Sequence, residues 1–192
     1  MTDRRTFIAG AAAAFFALPA FARTSWRRLF NRRCLDGWSP LGDANWRVEN
    51  GLLLADRGGI SFLVSRDSYR DLELRAEFWV SDDANSGIFL RCQDRTRITA
   101  DNSYEINIFD RRPDPTYGTG AIVNVAPVSP MPHAGGRWNA MTIRARGDMF
   151  NVVLNGRTTV AAARDGRYAE GPVALQYGAG QVRFRRVEIR PL

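Results

Sequence analysis

The chain has 192 residues, 27 basic against 20 acidic side chains, a formal net charge of +7 and 45% hydrophobic residues. That is enough apolar material for one domain with a sizeable core. All 27 basic residues are arginine, and past the first segment they are spread among acids as far as Arg190. No helix-turn-helix, zinc-finger or RNA-stacking motif accompanies them, which argues against nucleic acid as a partner and leaves anionic envelope surfaces compatible with the charge.

The first segment reads as an address. Arg4-Arg5 is followed by an apolar run from Ala9 to Leu18, then by Ala20-Phe21-Ala22. A charged start, a short apolar middle and a small-x-small site predict a cleaved twin-arginine export signal over residues 1–22. The alternative is a retained amphipathic anchor. Residues 23–192 are then the mature chain, expected to be periplasmic or secreted. No later stretch is long and apolar enough to be a transmembrane segment. With no Pro/Ser-rich linker and no internal repeat, one domain is expected.

The rest of the chain has little helical periodicity. Trp26 to Phe30 reads as a short strand or lead-in segment. Trp46 to Ala55 reads as a hairpin turning at Asn50-Gly51, and Ile60 to Ser65 as a further strand. Asp71 to Asp110 is the organising stretch, read as three consecutive strands. Their core side takes Leu72, Leu74, Ala76, Phe78 and Val80, then Ile88 and Leu90, then Tyr104, Ile106 and Ile108. Their outer side takes Glu73, Arg75, Glu77 and Trp79, then Phe89 and Arg91, then Glu105, Asn107 and Phe109. If the three strands are neighbours, one face gathers carboxylates, an arginine, an amide and aromatics, a mixture suited to a sugar.

After a proline-bearing loop, Thr119 to Val123 reads as a short strand and Ala126 to Gly136 as irregular. Trp138 to Arg146, Met149 to Leu154 and Thr158 to Ala162 follow, joined at Gly147-Asp148 and Asn155-Gly156. Arg164 to Ala169 has room for one helical turn. Val173 to Tyr177 and Gln181 to Arg190 close the chain, with a slip at Arg185-Arg186 that predicts a bulge. Many short alternating strands with Gly, Asn and Pro turns predict an all-β fold, two antiparallel sheets packed face to face.

Cys34 and Cys92 are read as inert thiols, although an exported chain permits a disulfide. His133 is the single histidine, which excludes a histidine-rich metal centre. A divalent cation held by carboxylates remains compatible with the composition. Trp38 and Trp46 read as packing at the rim of the core.

Several motifs fall in one order: Leu29-Phe30-Asn31 with Leu35-Asp36-Gly37-Trp38, Trp46-Arg-Val-Glu-Asn-Gly51, Tyr69-Arg-Asp-Leu-Glu-Leu74, Asn85-Ser-Gly-Ile-Phe-Leu-Arg91, Tyr104-Glu-Ile-Asn-Ile-Phe-Asp110, Gly136-Arg-Trp-Asn139, Leu154-Asn-Gly156 and Gly171-Pro-Val-Ala-Leu-Gln176. In this the chain resembles the 3-keto-disaccharide hydrolase domain family. The resemblance implies a concanavalin A-like jelly-roll sandwich and a small carbohydrate substrate, a glycoside oxidised at carbon 3. It also implies a route in which a base takes the carbon-2 proton, the aglycone is eliminated and water adds to the enone.

Such a route needs a base and a positive group near the ketone oxygen. Glu105, on the family's Tyr-Glu motif, is the expected base or ligand. Arg91 is expected to hold the enolate or orient Glu105. Asn107 and Gln176 are expected hydroxyl ligands, Glu77 and Glu49 further acids, and Trp79, Phe89 and Trp138 sugar-stacking rings. Three alternatives stay open: an ordinary two-carboxylate glycosidase drawing on Glu77, Glu105 and Asp110, a carbohydrate-binding module, and a partner-binding envelope protein.

Overall fold

A computed structural model of the chain describes residues 25–192, so the export signal predicted over residues 1–22 lies outside the described residues. The strands are β1 (Arg27–Arg28), β2 (Trp38–Leu41), β3 (Arg47–Glu49), β4 (Leu52–Ala55), β5 (Ser61–Tyr69), β6 (Leu72–Val80), β7 (Asn85–Leu90), β8 (Tyr104–Ile108), β9 (Trp138–Arg146), β10 (Met149–Leu154), β11 (Arg157–Arg164), β12 (Gly171–Ala179) and β13 (Val182–Pro191). They form two sheets. The eight-stranded sheet runs β11-β10-β9-β6-β13-β4-β3, with β1 also on β13; the five-stranded sheet runs β2-β5-β12-β7-β8.

The core lies between the sheets. From the eight-stranded sheet come Leu72, Leu74, Ala76, Phe78, Phe150 and Phe184; from the five-stranded sheet come Leu63, Ile88, Leu90, Tyr104, Ile106 and Leu175, all buried. Every residue assigned to the core side of the 71–110 stretch is there, because alternation alone decides which edge of a pleated strand faces in. The turns follow from local chemistry too. Asn50 and Gly51 take φ of 51° and 74°, Asn155 and Gly156 take 51° and 80°, the positive angles a tight hairpin requires. The register slips between Phe184 and Arg186, the predicted bulge.

Three expectations are corrected. β6, β7 and β8 are not three neighbours: β6 pairs with β9 and β13, while β7 pairs with β8 and β12. Both sheets have a core side, so alternation cannot tell which sheet a strand joins. Arg164 to Ala169 holds no helical turn; a 3-10 turn lies at Pro115–Tyr117, capped by the Asp114 carboxylate. Residues 119–123 form no full strand. They run along the free edge of β8, where the Asn107 N–H donates to Ala121 O at 3.0 Å and the Val123 N–H to Glu105 O at 3.0 Å.

Candidate functional site

The site is built on the outer face of the five-stranded sheet. Register places Gln176, Gly87 and Asn107 side by side across β12, β7 and β8, and Ala174, Phe89 and Glu105 in the next row on the same face. Phe62 of β5 lies beside Gln176, and Val64 beside Ala174. Phe62 and Phe89 meet edge to face, centroids 5.2 Å apart, giving an apolar wall next to the polar groups. Gly87 has a positional reason. A Cβ there would stand 3.1 Å from a Phe89 ring carbon and 3.4 Å from Gln176 Oε1, so only glycine leaves this middle position free.

A strap closes one end of this face. After β7, Arg91 adopts a φ of 53° and the chain turns back over the sheet. Arg95 ties the strap to the edge of β5 by donating to Ser65 O at 2.7 Å and Arg66 O at 2.9 Å. Ile98 then packs down among Phe62, Val64, Phe89, Cys92 and Ala174. Glu105 therefore sits at the junction of a covered apolar end and a row of amides.

The polar groups of this face are short of partners. Glu105 is 8% exposed and its side chain makes no hydrogen bond or ion pair among the described residues. Burial pushes its carboxyl up to about 7, opposed by the charge of Arg112. Asn107 donates to Tyr117 O at 2.7 Å, which fixes the amide, but its Oδ1 is buried without a donor. Gln176 Oε1 is likewise buried without a donor. Buried acceptors are nearly always satisfied in folded proteins, so two buried amide oxygens without donors, beside an unpaired carboxyl, make this face a candidate ligand surface. They call for a ligand that donates hydrogen bonds.

The structure thus brings Glu105, Asn107, Gln176 and Phe89 together, and separates the other expected residues from them. Arg91 is 1% exposed and turned inward. It donates to Arg70 O at 2.9 Å, Gly147 O at 2.8 Å and Tyr168 O at 3.0 Å, and reaches Asp71 Oδ1 at 3.4 Å. It is a clamp between the sheets, not a partner of Glu105, because its positive φ redirects the side chain. Glu77, Trp79 and Trp138 stand on the outer face of the eight-stranded sheet. Glu77 is ion-paired with Arg186 at 2.9 Å and with Arg185; Arg183 lies 4.6 Å over Trp79 and Arg185 4.5 Å over Trp138. Rings covered by guanidinium groups are not free sugar platforms, and Phe89, 1% exposed beneath Ile98, is not one either. Glu49 pairs with Arg47 on that same sheet. Trp38 and Trp46, read as packing at the rim, are buried within the core itself.

Asp110 accepts from the Thr119 hydroxyl at 2.6 Å and from the N–H groups of Ala134 and Gly135 at 2.8 Å, so it pins the proline loop. His133 in that loop is largely exposed. Cys34 and Cys92 are free thiols, and burial pushes Cys92 up to about 12. Among the described residues, no group of three or more His, Cys, Asp or Glu is placed to hold a metal ion. Sequence reasoning missed Ile98, Phe62 and Arg112. A lone isoleucine in the polar run Gln93 to Thr99 was the one available signal, for the strap.

Comparison with known proteins agrees with this architecture. The 3-keto-alpha-glucoside-1,2-lyase-like domain model matches residues 25–190. The chain belongs to that family. No curated protein matches it by sequence. Among solved structures, a candidate glycosyl hydrolase of Parabacteroides distasonis is similar with a TM-score of 0.77 at 18% identity, over 87% of this chain and 94% of that one. The carbohydrate-binding module CBM66 of Bacillus subtilis matches with a TM-score of 0.65 at 20% identity, over 80% and 95%. The Bacillus licheniformis β-glucanase matches with a TM-score of 0.60 at 13% identity, over 90% and 100%. The fold is the concanavalin A-like jelly roll, and the family places the chain among carbohydrate-active proteins. No helix among the described residues is long and apolar enough to cross a membrane.

Proposed function

We propose that this protein is an exported hydrolase or lyase of 3-keto-glycosides, with Glu105 as the base. The observation that carries the reading is a buried carboxyl with no partner, poised near neutrality by burial, beside two amide oxygens that lack donors. A base works best when its pKa lies near the working pH. The Glu105 carboxylate takes the proton on carbon 2 and the electron pair moves toward the carbon-3 ketone. The carbon 1–oxygen bond then breaks and the aglycone leaves with that bond's electrons, acquiring a proton from water. Water adds to carbon 1 of the resulting enone while carbon 2 is reprotonated. Asn107 Oδ1 and Gln176 Oε1 accept from sugar hydroxyls, while Phe89 and Phe62, buried beneath Ile98, form the apolar backing of the site. Arg112 takes the electrostatic role expected of Arg91. It is the charge that acts on Glu105, and it has no ion pair of its own among the described residues.

The second reading is a carbohydrate-binding module on the same face, favoured by the two amide acceptors and by the likeness to a binding module. One experiment separates the two. Purified protein and Glu105→Gln are incubated with a 3-keto-glucoside in D₂O, and carbon-2 deuteration and aglycone release are followed by NMR. Enzymatic action predicts both events in the wild type and a loss of about 10²–10⁴-fold in Glu105→Gln. Ligand-induced shifts at Asn107 and Gln176 with neither event would favour the module.

A further inference from the structure

The bulge in β13 gives the eight-stranded sheet a feature that its alternation would not. Arg185 is the extra residue, so Arg185 and Arg186 both project from the outer face, where both reach Glu77. Across β1, Arg28 pairs in register with Glu188, and Arg32 comes in from the turn that follows. These residues surround a cavity of about 180 Å³ whose remaining walls are Phe30 and Val187. It lies on the sheet opposite Glu105.

We propose that this cavity is an anion site that takes a phosphate group. Arg28, Arg32, Arg185 and Arg186 line it against two carboxylates, Glu77 and Glu188. The pairing leaves donors to spare. Glu77 engages Arg185 and Arg186 at hydrogen-bond distance. Glu188 stands 3.5 Å from Arg28 and 3.8 Å from Arg186, too far for a good hydrogen bond. Arg28 has a side chain 70% exposed and makes no hydrogen bond among the described residues, and Arg32 makes one 3.3 Å contact through Nε to Gly51 O. Each guanidinium offers a fork of N–H donors and no acceptor. Two of them are adjacent at the bulge, and two more complete the lining from β1 and the turn after it. That arrangement fits a tetrahedral oxyanion, whose oxygens are met from several sides. The wall of the cavity is cationic, unlike the acceptor-rich face around Glu105. The phosphate can belong to a soluble ester or to a surface headgroup; the recognition chemistry is the same.

The test titrates inorganic phosphate into the purified chain at constant ionic strength, with chloride as the replaced anion, and follows the arginine Nε–Hε signals. Saturable shifts at Arg28, Arg32, Arg185 and Arg186 are expected, with binding about tenfold weaker or worse in an Arg28→Gln/Arg32→Gln double variant, as loss of charged hydrogen bonds requires. Both changes are at the surface, and thermal melting checks that the fold persists. A response without saturation, an equal response from Arg144 and Arg146 on β9, or binding unchanged in the double variant would overturn the site. Co-sedimentation with vesicles then identifies the source. Retention on phosphatidic acid but not on phosphatidylcholine, lost in the double variant, assigns the site to a surface. Phosphate binding without retention assigns it to a soluble ester. Neither result depends on chemistry at Glu105.

Discussion

On the outer face of the eight-stranded sheet, Glu77 is held by Arg185 and Arg186, Glu73 by Arg190 and Arg75, and Trp26 is flanked by Arg75 and Arg190 at 4.1 and 5.0 Å. On the outer face of the five-stranded sheet, Glu105 has no such partner, and Asn107 and Gln176 each keep a buried oxygen without a donor. The residue types overlap; the partners do not. A carboxylate that is solvated or ion-paired has little left to offer a substrate. One that is buried and alone is held at an energetic disadvantage, which a reacting proton or a ligand can relieve. Composition by itself would point to the eight-stranded sheet, which is richer in both tryptophan and glutamate.

The largest effect that sharpens this contrast is expected at Arg91, the buried charge that is fully partnered. Arg91→Met should destabilise the protein by about 3–5 kcal/mol, because Arg70 O, Gly147 O and Tyr168 O lose their shared donor and Asp71 its cation. Urea denaturation gives the value. If the folded fraction tolerates the change yet carbon-2 exchange is lost, Arg91 acts at the sugar after all. Next in size is the pH dependence at Glu105. Its folded pKa of about 7 lies above the ordinary glutamate value of 4.5, so the folded state holds the proton more tightly. The stability this contributes is fully present below about pH 4.5 and is lost as pH rises through 7. Glu105→Gln removes the cost of a buried anion. It should match the wild type near pH 4 and exceed it by on the order of 3 kcal/mol at pH 9. Equal stability at both pH values would mean that Glu105 is solvated and not poised.

How far the sequence foretold this site depends on which physical rule fixed each residue. Alternation placed Leu72 to Val80 and Tyr104 to Ile108 with the correct face inward, and Asn-Gly pairs placed two hairpins, because both rules are local. It also put Glu105, Asn107 and Phe89 on one face. Which strands are neighbours is set by long-range pairing. Nothing in residues 71–110 says that β12 inserts beside β7 and brings Gln176 next to Gly87, or that β6 leaves for the other sheet with Glu77 and Trp79. The family motifs supplied Gln176, although not its neighbours. Arg91 failed for a different reason. A positive φ at the end of β7 breaks the alternation that assigned it outward.

Gln176 gives a smaller effect of the same kind. Gln176→Met keeps the volume and removes a buried oxygen that lacks a donor. Stability should rise by about 1 kcal/mol, and sugar binding should weaken by about tenfold, because a hydroxyl loses its acceptor. A variant that is less stable and binds normally would mean that the amide is satisfied within the protein.

The smallest effect belongs to Glu77, and it tests the other half of the comparison. Its ion pairs with Arg185 and Arg186 lie at the surface, where those guanidinium groups are about half exposed. Pairs of that kind contribute about 0–1 kcal/mol, since solvent screens them and ordering long side chains costs entropy. Glu77→Gln should therefore melt within a few degrees of wild type and leave carbon-2 exchange unchanged, because the whole sandwich separates it from Glu105. The ordinary two-carboxylate glycosidase makes the opposite prediction, for there Glu77 would be an acid or nucleophile and its loss would abolish turnover. Two carboxylates on opposite outer faces cannot flank one glycosidic bond. A large rate loss in Glu77→Gln with normal melting would mean that this face, and not that of Glu105, meets the sugar.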